Sequence, residues 1–161
     1  MTALQELRGA LKELGEHLSL DLDIPEDGAC VIDTGMGDEA LISCLEETNQ
    51  VRLSVPLLAT EPEDFDRVAR EALLINDDLT LTGTARIGLS PPDDTLILTF
   101  SMPASDLDAG ILWGAIEPLL LLGREIRGHL RSGDTVEESP QDGADTDSSA
   151  DRSMVDPSLR A

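Results

Sequence analysis

Between Glu71 and Met102 the hydrophobic period changes from that of a helix to that of two successive strands, which constrains the fold more tightly than anything else in the chain. Apolar residues fall at helical spacing up to Leu74 and Ile75. Asn76-Asp77-Asp78 then predicts a stop, with residues that tolerate a left-handed turn. Beyond it Ala85, Ile87 and Leu89 alternate with Thr84, Arg86 and Gly88, and Leu96, Leu98 and Phe100 alternate with Ile97, Thr99 and Ser101, as half-buried strands do. Ser90-Pro91-Pro92-Asp93-Asp94 joins the two strands as a hairpin loop.

The flanks extend this pattern. Thr2-Ala3-Leu4-Gln5 has the form of a capping box, and Leu4, Leu7, Leu11 and Leu14 give a short helix with one apolar stripe that Gly15 should end. Leu18, Leu20 and Leu22 alternate with polar residues before Pro25 and Gly28, which reads as extended coil or a marginal strand. Three strands follow at Cys30–Asp33, Ala40–Glu46 and Val51–Leu57, the last with Val51, Leu53, Val55 and Leu57 on one face. Thr60-Glu61-Pro62-Glu63 marks the start of a second helix running to about Ile75. Ser105-Asp106-Leu107-Asp108 caps a long third helix through Leu130, in which Pro118 predicts a kink near Gly114–Leu119. The order is α-β-β-β-α-β-β-α, an α+β domain with an antiparallel sheet of about five strands and three helices.

At 161 residues the chain is long enough for one domain with a real core. We place the domain at residues 1–131 and a disordered acidic tail at 132–161, where apolar residues nearly vanish. The tail holds eight acids and two arginines, a net charge of −6, which leaves −16 of the total −22 for the domain. So acidic a surface repels phosphates and anionic lipid, which argues against nucleic acid and membrane insertion and favours a basic or hydrophobic polypeptide, or serves only solubility. The first residues carry Glu6, Lys12 and Glu13 rather than a signal-peptide pattern, and the longest apolar run is Leu119–Leu122, so a cytoplasmic protein is expected. Cys30 and Cys44 lack metal spacing and read as buried free thiols.

The residues offer little chemistry. His17 and His129 stand beside no nucleophile, and no glycine loop has phosphate-binding spacing. Asp21, Asp23 and Asp27 begin like a calcium loop, but Glu26 and Ile32 occupy the positions that require glycine and a terminal carboxylate. Asp33-Thr34-Gly35 after a hydrophobic strand looks like the catalytic turn of dimeric aspartic proteases, in which paired aspartates share a proton. The amount of helix argues against that fold, and an acidic hairpin turn explains the tripeptide. We expect no enzyme, no cofactor, no metal and no small-molecule substrate.

Several segments together resemble the Tir chaperone family, the single-effector chaperones of type III secretion. They are ALLINDDLTLTGTARIGL at Ala72–Leu89, DDTLILTFSMP at Asp93–Pro103, Leu107-Asp108-Ala109 and Arg124–Leu130 in the last helix, the Leu-x-x-Leu-Gly-x-x-Leu of the first, Asp27-Gly28-Ala29-Cys30 and Thr82-Gly83. The likeness spans Leu4 to Leu130, with Pro118 and the acidic tail as departures. It implies a cytoplasmic homodimer that binds the extended N-terminal region of a secreted effector and keeps it soluble and export-competent. It further implies pairing through Phe65–Ile75 and Thr82–Leu89, with Phe65, Ala69, Ala72, Leu73, Gly83, Ala85 and Ile87 at the dimer interface. Leu7, Leu11, Leu18, Val31 and Leu53 would supply apolar patches for the effector. The same fold could instead serve a bacterial regulatory or sensory domain that binds a folded partner.

Overall fold

The computed structural model describes residues 2–25, 28–34, 37–91 and 94–132. The expected acidic tail from residue 133 onward, Asp27 of the calcium-like run and Gly35 of Asp-Thr-Gly lie outside the described residues. The elements are α1 (Ala3–Leu18), β1 (Ala29–Asp33), β2 (Glu39–Leu45), β3 (Gln50–Ala59), α2 (Phe65–Asp77), α3 (Leu79–Thr82), β4 (Arg86–Ser90), β5 (Thr95–Pro103) and α4 (Ala109–Ser132), with a 3-10 turn at Glu46–Thr48. The five strands form one antiparallel sheet in the order β1-β2-β3-β5-β4.

The capping box at Thr2 and Gln5 forms as its residue types require. The helix does not end at Gly15. It runs to Leu18, where Ser19 takes the left-handed cap, and the amides of Ser19 and Leu20 both bond to the Gly15 carbonyl. Gly15 serves another purpose. A Cβ there would meet the Leu20 carbonyl oxygen at 2.6 Å, so glycine lets the chain fold back across α1 and bury Ile24.

Two other boundaries move for local reasons. Thr60 does not cap α2, because its amide and hydroxyl both donate to the Asp94 carbonyl, tying the end of β3 to the β4–β5 loop. The helix begins at Phe65 after a turn closed by the Asp64 amide on the Glu61 carbonyl. Asp78 sits in extended geometry, and its carboxylate accepts from the Thr80 amide and hydroxyl, so it starts the one-turn helix α3. That extra helix delays β4 to Arg86, two residues beyond the start of the alternation at Thr84.

α4 lies across β3 with α1 beside it, on one face of the sheet. The inner row is Val51, Leu53 and Val55, whose cross-strand partners on β5 are Met102, Phe100 and Leu98. Gly123 permits the closest approach: a Cβ there would stand 2.8 Å from Val55 Cγ1. α4 continues through Pro118 as one helix. The carbonyl that proline leaves unbonded belongs to Gly114, and both residues are exposed, so water satisfies it at little cost.

One buried ion cluster fixes the β1–β2 connection to α4. The Asp38 carboxylate is almost fully buried and pairs with the Arg124 and Arg127 guanidinium groups, while Arg127 also donates to the Pro56 carbonyl at 2.8 Å. The hydrogen bond from Arg124 leads in holding the Asp38 carboxyl below its ordinary value, against the opposing effect of burial. Because the folded state favours the ionised form, this contribution is present above the ordinary carboxylate pKa and is lost as pH falls through the depressed one. Asp38→Asn should therefore lower the thermal midpoint at pH 7. The gap to wild type should close as the pH drops below about 4, and a gap unchanged by acid in a pH series of melts would refute this account.

Candidate binding surface

Strand alternation puts Cys30 and Ile32 toward the core with their partners Ile42 and Ala40. The opposite phase therefore faces outward. Val31 and Leu41 are cross-strand partners in that phase, 56% and 39% exposed, on the outer face beside the sheet edge. Their row continues through Ser54, Thr99 and Arg86. The Cys44 amide bonds to the Gly28 carbonyl, and the Thr34 amide to the Asp38 carbonyl. In an antiparallel ladder this turns the even residues of β1 toward β2 and the Val31 peptide groups outward. The outer side of β1 thus combines apolar side chains with edge hydrogen-bonding capacity.

The other edge is occupied at Ala85 and Ile87. Asn76 at the end of α2 donates from Nδ2 to the Ile87 carbonyl at 2.9 Å and accepts from the Ile87 amide at 2.7 Å. The Ala85 amide is taken by Thr82, and the Ala85 carbonyl by Arg86. A residue expected only to stop a helix closes the outward side of β4 at Ile87.

The anticipated effector residues divide. Leu18 and Val31 are exposed, but Leu7, Leu11 and Leu53 have no exposed surface and belong to the core, which corrects their expected surface placement. Helical or strand spacing identifies an apolar face without saying what it meets. Leu41 and Leu20, which the sequence reading did not single out, are exposed as well. Leu41 carried a signal, since it is a leucine in the polar phase of its strand.

Of the anticipated interface residues, Ala72, Ala85 and Ile87 are buried within the protomer, a second correction. Phe65 and Ala69 are half-buried, Gly83 is exposed and Leu73 is 68% exposed. At 100° per residue, Phe65, Ala69, Leu73 and Asn76 share one flank of α2, while Glu71 and Leu74 lie on the other. Leu74, Leu79, Leu81, Leu89 and Leu121 add further exposed apolar surface around α2, α3, β4 and α4.

Thr34 closes the β1–β2 turn, with both its amide and hydroxyl on the Asp38 carbonyl, which gives Asp-Thr-Gly a structural explanation. Asp23 accepts the Ile24 amide. Among the described residues no cluster of His, Cys, Asp and Glu has the arrangement to hold a metal ion, and no helix is long and apolar enough to cross a membrane. Both cysteines are free thiols and half-buried. Burial, with Asp23 nearby, pushes the Cys30 thiol up to about 11 from an ordinary 9.0. Its thiolate fraction at pH 8 is accordingly about a hundredfold lower, so iodoacetamide should modify Cys30 slowly in the native protein and fast after denaturation. Rapid native labelling at Cys30, read by mass spectrometry, would contradict this burial.

The model of the Tir chaperone protein (CesT) family matches residues 9–127. The chain belongs to that family. As a CesT-family member it is a type III secretion chaperone that binds effectors, and the family is one of chaperones rather than enzymes. No curated protein sequence matches it. Its fold is similar to a chain in the ExsC–ExsE complex, at 14% identity and a TM-score of 0.68, over 81% of this chain and 97% of that one. It is also similar to a chain in the HopA1–SchA chaperone–effector complex, at 17% identity and 0.63, over 78% and 96%. A chain in the ExoT–SpcS complex from Pseudomonas aeruginosa matches at 19% identity and 0.53, over 74% and 96%. At such identities the likeness is one of fold.

Proposed function

We propose that this CesT-family chain acts in the cytoplasm as a homodimer that holds the extended N-terminal region of a type III effector, keeping it soluble and competent for export, without catalysis. The observation that carries the reading is the outward pair Val31 and Leu41 beside an edge whose Val31 peptide groups point away from the sheet. An extended segment docked there gains main-chain hydrogen bonds from β1 and buries apolar side chains on the outer face. Leu18 and Leu20 at the end of α1 offer a second apolar patch. The surrounding acidity favours a neutral or basic client and disfavours polyanions.

For the dimer, the flank of α2 carrying Phe65, Ala69 and Leu73, together with exposed Gly83, is the surface we assign to the second copy. A leucine as exposed as Leu73 gains most from such a seam. With Asn76 occupying the outward groups of Ile87, pairing at this site proceeds through side chains rather than through a β4-to-β4 ladder.

The test is to purify the protein from its own cytoplasm under gentle conditions, identify what co-purifies and measure the mass of the complex by light scattering. Two copies with one secreted protein, lost when that protein's N-terminal region is deleted, is the expected result. A monomer, or a partner held through a folded domain, would refute it.

A further inference from the structure

On the flank of α2 away from the assigned dimer surface, a cavity of about 430 Å³ opens between α2, α3 and α4. Leu74, Leu81 and Leu122 form apolar walls, and Glu125 stands at the lining. The Glu71 side chain, only 8% exposed, also lines it, and its Oε2 atom is buried without a hydrogen-bond partner. His129 Nε2 stands 3.7 Å from that oxygen, beyond hydrogen-bond reach, and Arg70 lies on the adjoining position of the helix. A buried carboxylate oxygen without a hydrogen bond is costly, and a cationic donor removes that cost.

We infer that this cavity is a socket for an arginine side chain of the client polypeptide, its methylene stem against Leu74, Leu81 and Leu122 and its guanidinium on Glu71. Arginine fits best because it combines an apolar stem with a planar, weakly hydrated fork of donors. Arg70 also lines the cavity but is exposed and makes no bond to Glu71, and the chain carries a charge of −22 that draws in a basic partner. The identity of the occupant rests on the client-binding reading above; the chemistry of the socket does not.

The probe is n-hexylguanidinium, with the uncharged n-hexylurea as its control, titrated into the full chain while the leucine methyl resonances are followed by NMR. Saturable shifts at Leu74, Leu81 and Leu122 are expected with the guanidinium. Glu71→Gln should weaken it about tenfold, the change expected for one charge-assisted hydrogen bond. Leu74→Arg, at an exposed position one turn from Glu71, should abolish the shifts without lowering the thermal midpoint, since it fills the socket from within. Equal binding of the urea, or an affinity untouched by both substitutions, overturns the inference. So do shifts that follow protein concentration instead of probe, which would make the cavity a seam between copies. Client capture that persists while the guanidinium fails to bind overturns this socket alone; a wild-type chain that captures no client overturns the proposed function instead.

Discussion

Replacing Val31 and Leu41 together by aspartate should abolish capture of an extended client while leaving the free protein folded. The two side chains are cross-strand partners on the outer face, more than a third exposed, so they contribute little to the folded monomer. Against a bound segment each buries its remaining exposed apolar surface, worth roughly 0.6–1.7 kcal/mol, so losing both amounts to about ten- to a hundredfold in affinity even before the aspartates add desolvation. The stability cost is that of a poor strand former and of the apolar surface each already buries, about 1–2 kcal/mol per site. Calorimetric titration of the client and thermal melts of the free chain measure the two effects separately. Undiminished binding by the double variant would remove the outer face of β1 and β2 from the site.

Leu53→Ala should do the reverse. Leu53 has no exposed surface, and its neighbours in register are Ile42 on one side and Phe100 on the other, beneath α4. Truncation leaves a cavity in the middle strand, and the expected loss is about 2–5 kcal/mol of unfolding free energy. Any client binding that remains should be that of the folded fraction. If Leu53→Ala instead kept its denaturation midpoint and lost the client, Leu53 would be a contact residue after all and its place in the core would be wrong. Leu7 and Leu11 are buried to the same degree and should behave as Leu53 does.

These opposite expectations show what periodicity resolves. Leu53 and Val31 both sit in alternating strands, and the family resemblance offered both as apolar contacts. In β1 and β2 the phase was readable, because Cys30, Ile32, Ala40 and Ile42 form the larger apolar set and leave Val31 and Leu41 on the other side. In β3 the inner phase is fully apolar, and nothing local says that α4 covers it. The boundaries failed where a side chain found a distant partner: Thr60 bonds to the Asp94 carbonyl rather than capping a helix, and Asn76 reaches across to Ile87. The Asp78 cap is local, but Asp78 also stops the helix before it, and the stop masks the new start.

By itself the sequence determined the kinds of element and their order apart from the one-turn helix α3, the capping of α1, the one-sided apolar pattern of each helix and strand, and the acidic character that selects among partners. These follow from interactions within a few residues and from net charge. Only the tertiary structure decided which apolar face meets the core and which meets solvent, because that depends on where α1 and α4 land on the sheet. It alone placed Asp38 between two arginines of α4, closed the β4 edge at Ile87 with Asn76 and left Glu71 Oε2 without a hydrogen bond in a hollow. Each joins side chains far apart in the chain or rests on how several elements pack together, and no local period encodes which distant groups will meet.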